Sequence, residues 1–196
     1  FISDNNQDLS IHLPLEKHCT LKFNNTDFYD FMFKDWGTSS CLPYEPRPNS
    51  DDFSNLQMTF ARNLGYHTGN TLKRDWGRKP EENSEFKEII GLDNFNLLGI
   101  DPNRTLIRLL CYMPGNMLPL HIDGYEGWQQ FFNTDELPKR FSVLVNDWSW
   151  GQFLQLHDNV ITNWSCGDTY IIGQNVWHCS GNAGILPKVT LTITGV

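Results

Sequence analysis

The sequence predicts a mainly β protein with flanking helices, its strands closing into a jelly roll or similar double-sheet barrel. Two observations carry this. From Asn103 onward the chain breaks into short β-rich runs separated by turn residues, a rhythm that suits an antiparallel double-sheet barrel. Before that point apolar residues recur at helical spacing between proline- and glycine-rich loops. With 196 residues, seven Trp, thirteen Phe and six Tyr, the chain has apolar mass enough for one core without disulfides. We read 1–196 as a single domain, with 1–103 a helical and loop flank that supports a barrel core over 104–196.

In the flank, Asn25-Thr26-Asp27 offers cap residues ahead of the aromatic run Phe28 to Trp36, which Gly37 closes. Pro43, Pro46 and Pro48 make 41–51 a loop. Asp51 or Ser54 then caps a helix to Leu64, ended by Gly65, with Phe53, Leu56, Phe60 and Leu64 on one face. Residues 66–80 are polar and read as a surface loop; their Lys73, Arg74, Arg78 and Lys79 are solvated cations or, alternatively, line an entrance. Pro80-Glu81-Glu82 is the acidic first turn of a further helix through Ile90, stopped by Gly91. His12, His18 and His67 are isolated and read as surface or packing residues.

The barrel strands are expected at 104–113, 117–123, 140–147, 152–156, 159–164, 168–173, 175–179 and 188–194. Trp148, Trp150, Trp164 and Trp177 are expected in its core. Loops 66–80 and 124–138 frame an entrance, with Trp128, Phe131 and Phe132 as an aromatic lid. From Lys188 to Thr194 polar and apolar residues alternate, so Lys188 and Thr190 share one face. That face either meets solvent, as in any antiparallel sandwich, or turns into a polar cavity where an anion is held.

The net charge of −8 is scattered, with no basic stripe, which argues against nucleic acid or an anionic membrane surface as a partner. It leaves room for a single anion site and for a small-molecule or peptide substrate. No apolar run reaches the length of a membrane span. Cys19, Cys41, Cys111, Cys166 and Cys179 are odd in number and lack a CxxC pair, which suits a reduced, cytoplasmic protein. Asn24, Asn103 and Asn163 fit the N-x-[ST] pattern, by chance in so Asn-rich a chain. The first residue is Phe1 rather than Met, so a few residues or a removed leader are expected upstream.

The residues with the sharpest chemistry are His121-Ile122-Asp123 and, 55 positions later, His178. On an extended strand His121 and Asp123 point the same way and Ile122 the other. One more imidazole from a distant strand gives three ligands on one face of a metal, the two-histidine, one-carboxylate set that suits Fe(II) and leaves positions open for other ligands. His121 follows a strand, the turn Pro114-Gly115-Asn116 and a second strand. His178 follows the Gly167-Asp168 turn, and Lys188 stands ten residues beyond it, with Thr190 two further on. His157, beside Asp158 in a turn, reads as exposed or satisfied.

This combination resembles the 2-oxoglutarate- and Fe(II)-dependent oxygenase superfamily, over residues 104–196. The resemblance implies a double-stranded β-helix, a barrel of the jelly-roll or cupin-like kind. His121, Asp123 and His178 would be the catalytic metal ligands. Lys188 would pair with the far carboxylate of 2-oxoglutarate and Thr190 would donate a hydrogen bond to it. Tyr112 lies where several members place a tyrosine against the co-substrate, or is a core aromatic. Arg140 either reaches the carboxylate nearer the metal or is an exposed strand-edge cation. Lys188 departs from the arginine of many members; an ammonium neutralises a carboxylate as a point charge but cannot grip it with two parallel hydrogen bonds.

The implied reaction couples oxidative decarboxylation of 2-oxoglutarate, with O₂, to hydroxylation of a C–H bond. The cofactor supplies that reactivity and the protein supplies ligation and orientation. A buried lysine without an anion would be costly, and a dianionic co-substrate removes that cost. Two other readings stay open. One is a cupin-like metalloenzyme without 2-oxoglutarate, although the cupin pattern carries His-x-His. The other is a non-catalytic β-barrel binding module. The prime substrate is not legible, because one fold serves many chemistries.

Overall fold

The computed structural model describes residues 16–36, 74–77 and 79–196, together with residues 59 and 63. All but residues 59 and 63 of the expected helix to Leu64, the 41–51 loop, most of 66–80, and Cys41, His12 and His67 lie outside the described residues.

Ten strands are described: β1 (Cys19–Thr20), β2 (Arg74–Trp76), β3 (Thr105–Tyr112), β4 (Met117–His121), β5 (Lys139–Leu144), β6 (Gln152–Leu156), β7 (Asn159–Ile161), β8 (Asp168–Ile171), β9 (His178–Asn182) and β10 (Lys188–Gly195). They form a six-stranded sheet in the order β1-β8-β5-β10-β3-β2 and a four-stranded sheet in the order β4-β9-β6-β7. Every ladder is antiparallel. This is the jelly-roll architecture, with helices packed on its outer flank.

The pleat of the larger sheet sorts its residues into two environments. Ile107, Leu109 and Cys111 of β3, Phe141 and Val143 of β5, and Val189, Leu191 and Ile193 of β10 share one core. That core also holds Phe28, Phe31, Phe86 and Ile90 from the helices. Each such side chain contributes about 1.5–3 kcal/mol by leaving water. The alternate residues face the smaller sheet, where Leu144 and Tyr170 meet Leu154, Leu156, Ile161 and Trp164. Lys188 and Thr190 belong to this inner face and are 0% and 4% exposed, so the polar side of β10 turns into the barrel and not to solvent.

The helices are α1 (Asn25–Lys34), α2 (Pro80–Ile90), α3 (Leu92–Leu98) and α4 (Glu126–Phe132), with a 3-10 turn at Pro102–Arg104. Helix α1 starts earlier than the aromatic run suggests, because the Asn24 side chain accepts from the Thr26 amide and caps it. Helix α2 spans Pro80–Ile90 and is capped by Gly91, as its first turn and glycine stop predict. Its Asn83 is buried, donates to Gly77 O and Ile107 O, and accepts from the Ile107 amide, locking the helix to β3. No helix among the described residues is long and apolar enough to cross a membrane.

Several expectations need correction. The strand expected over 175–179 instead begins at His178 and runs on through Ser180-Gly181-Asn182 as β9, where Gly181 is the gap that admits the Phe153 ring. Strand β4 ends at His121, so Asp123 stands beyond the ladder. The 124–138 segment is not a loop but contains α4, and Trp128 is no lid: it is buried and donates Nε1 to Arg104 O. Trp150 is 82% exposed and outside the core. Arg74 is no solvated cation, for it donates to Trp36 O and stacks on that indole at 4.4 Å. Strands β1 and β2 and helix α3 carried too short a pattern to be read from the sequence.

Candidate metal centre

The site is set by the β4–β9 ladder. His121 and His178 are directly opposed across it, and their rings lie 4.2 Å apart between centroids. Each imidazole is anchored through Nδ1, His121 on Pro119 O at 2.7 Å and His178 on Val176 O at 2.9 Å. A carbonyl can only accept, so these contacts assign the proton to Nδ1 and leave the Nε2 lone pairs unspoken for.

Both Nε2 atoms face Asp123. His121 Nε2 is 3.4 Å from Oδ1, and His178 Nε2 is 3.4 Å from Oδ2. One ligand atom from each of the three residues lies within 4.8 Å of the others. One atom from each of the three could hold a single metal ion between them, leaving its other positions to other ligands. Three electron-rich atoms converging on one point repel unless a cation lies between them. The donor set therefore fits a metal, and it brings together the His121, Asp123 and His178 that the sequence singles out.

Burial pushes the Asp123 carboxyl up, but its contacts with His121 and His178 and the charge of the Arg140 guanidinium outweigh it. The net effect holds the group well below the usual carboxylate range, so it stands ready as an anionic ligand. Arg140 sits beside it with Nη1 2.9 Å from Oδ2. It is therefore not the exposed strand-edge cation of one sequence reading, for the guanidinium is largely enclosed and meets Asp123 itself.

Lys188 lies deeper in the barrel. Its ammonium donates to Phe153 O and Ser180 Oγ and lies 5.2 Å from the ring centres of Tyr112 and Trp164. Tyr112 is its cross-strand partner on β3. Ser180 stands two residues from His178 on β9, hence on the same face. Desolvation lowers the Lys188 amine to about 7, only partly opposed by Cys179. Thr190 follows on the same inner face of β10 and is buried. Ser180 and the Phe153 carbonyl escaped the sequence reading; the period of β9 could have pointed to Ser180, but nothing local marks a backbone carbonyl on β6.

The other titratable residues do not join the centre. His157 is exposed in a turn with φ 53°, and His18 is exposed against Phe141 at 5.4 Å. Cys19, Cys111, Cys166 and Cys179 are free thiols, and burial raises all four, Cys111 to about 12, so none is primed as a nucleophile.

No protein-family model and no curated protein matches the chain. Among solved structures it is similar to a predicted oxalate decarboxylase from Thermotoga maritima, at 11% identity over 63% of this chain and 80% of that one, with a TM-score of 0.39. It is also similar to a cupin protein from Bacteroides fragilis, at 13% identity over 46% of this chain and 64% of that one, with a TM-score of 0.34. A Klebsiella pneumoniae protein with a double-stranded β-helix domain is 12% identical over 46% of this chain and 66% of its own, with a TM-score of 0.33.

Proposed function

We propose that the chain is a metal-dependent oxygenase of the 2-oxoglutarate/Fe(II) kind, acting on a small-molecule or peptide substrate. The observation that carries this reading is the convergence of two carbonyl-anchored imidazoles and one carboxylate at 3.4 Å contacts. Nitrogen and oxygen donors on one face suit Fe(II), and they leave the opposite positions open. Bound there, the iron would activate O₂ and couple loss of CO₂ from 2-oxoglutarate to hydroxylation of a C–H bond.

The protein's share is binding and orientation. His121, Asp123 and His178 would hold the iron. Lys188 supports the co-substrate assignment, because a fully buried amine at about 7 gains most from a carboxylate that restores its charge. Ser180 and Phe153 O keep that ammonium aimed into the barrel, and Thr190 offers a hydroxyl beside it. The Tyr112 and Trp164 rings flank the same ammonium and keep water from it. One observation favours a second reading, a metalloenzyme of this barrel without 2-oxoglutarate: Lys188 already has two oxygen partners.

The test is anaerobic loading with Fe(II), then addition of 2-oxoglutarate and a metabolite or peptide library under air. Succinate and a product heavier by one oxygen are expected. Iron uptake without any 2-oxoglutarate binding would select the second reading. A protein that takes up no divalent metal would sink both and leave a binding module.

A further inference from the structure

We propose that Arg140 is the positioning residue of the metal centre, holding Asp123 by Oδ2 so that Oδ1 is presented for ligation. The inference rests on the metal reading above and concerns how the third ligand is kept in place. His121 and His178 each have two supports, the β4–β9 ladder and an Nδ1 contact to a carbonyl. Asp123 has neither kind, since it lies past the end of β4 and its side chain is 38% exposed. Without a partner, a carboxylate on irregular backbone would sample several rotamers, and ligation would have to overcome that freedom.

The guanidinium supplies the missing constraint. Nη1 is 2.9 Å from Asp123 Oδ2, Nη2 donates to Gly124 O at 2.9 Å, and Nε donates to Thr194 Oγ1 at 3.1 Å. Its carbon lies 4.9 Å from the centre of the Tyr125 ring. One planar fork thus grips the ligand side chain and the next residue's carbonyl together. The fork is itself fixed by Thr194, its cross-strand partner on β10. Because β5 and β10 belong to the larger sheet while Asp123 follows β4 of the smaller one, the clamp ties the two sheets at the metal.

Removing the guanidinium charge would also relieve repulsion of a cation, so the informative variants keep the charge and loosen the fork. Arg140→Lys retains a cation but can reach one acceptor at a time. Thr194→Val is nearly isosteric and frees Nε. Cobalt(II) is titrated into the full chain, with dissociation constants from calorimetry and ligand geometry from the visible bands; circular dichroism checks the fold. Each variant is expected to weaken cobalt binding by about 10–100-fold, the usual cost of losing a ligand's supporting partner, and to shift the bands. On an Asp123→Ala background the same changes should alter affinity by less than about twofold, because the clamped group is gone. Wild-type affinity and bands in Thr194→Val and in any folded Arg140→Lys would overturn the assignment while leaving the centre intact. If Asp123→Ala alone binds cobalt as the wild type does, the metal reading falls, and the clamp with it.

Discussion

His121 and His178 are directly opposed across an antiparallel ladder, and each uses Nδ1 to hold the carbonyl two residues before it. The pair is thus built twice by the same local device. Both rings present Nε2 toward one carboxylate, so the direction of these two nitrogens is set by the backbone and not by loose side chains.

Replacing either histidine with Ala should therefore cost more metal affinity than the about 10–100-fold typical of supporting residues. Iron content after anaerobic reconstitution and desalting reads this directly. Variants retaining stoichiometric iron would remove the ladder pair from the site.

Lys188 should make stability depend on pH in an unusual window. Its amine lies at about 7 in the folded protein, against 10.5 for an ordinary lysine. Between those values the unfolded chain binds one more proton, so stability rises with pH, by up to about 1.4 kcal/mol per unit. Below pH 7 the folded amine is protonated too and the slope ends. In urea titrations at pH 7 to 10, the wild type should therefore gain on Lys188→Met as pH rises; parallel profiles would show that the amine keeps its ordinary affinity for protons.

Gly167 should not tolerate a side chain. It has φ +86°, and an added Cβ would come within 2.0 Å of Leu21 O. Backbone strain of this type costs about 1–3 kcal/mol before the clash is counted, so Gly167→Ala should lower Tm by several degrees. An unchanged Tm would mean that the 167–168 turn relaxes freely.

Asn83→Leu should separate stability from the site. It leaves the Ile107 amide, Ile107 O and Gly77 O without their side-chain partner, at about 1–3 kcal/mol for each buried group left unsatisfied. Asn83 lies on α2 and contacts none of the three ligands, so cobalt affinity of the folded variant should match the wild type. A selective loss of metal with stability intact would contradict the packing described here.

Local rules made much of this protein legible from its sequence. The turn residues placed most of the barrel strands, Pro80 and Gly91 bounded α2, and the two-residue step brought His121 and Asp123 to one side although the strand stops between them. The alternation over Lys188–Thr194 assigned its faces, but not which of them met solvent. Those features depend on neighbours a few residues away, where backbone period and side-chain preference act directly. Tertiary structure alone decided what depends on register between distant strands. Pairing of β10 with β5 put Arg140 opposite Thr194 and within reach of Asp123, and packing of β9 over the inner face joined Ser180 to Lys188. It also extended β9 through Ser180-Gly181-Asn182, because that backbone pairs with Met117 and Leu118 of β4 on one side and with Gln152 to Leu154 of β6 on the other. Such contacts follow from which sheet edges meet, and no local spacing encodes that meeting.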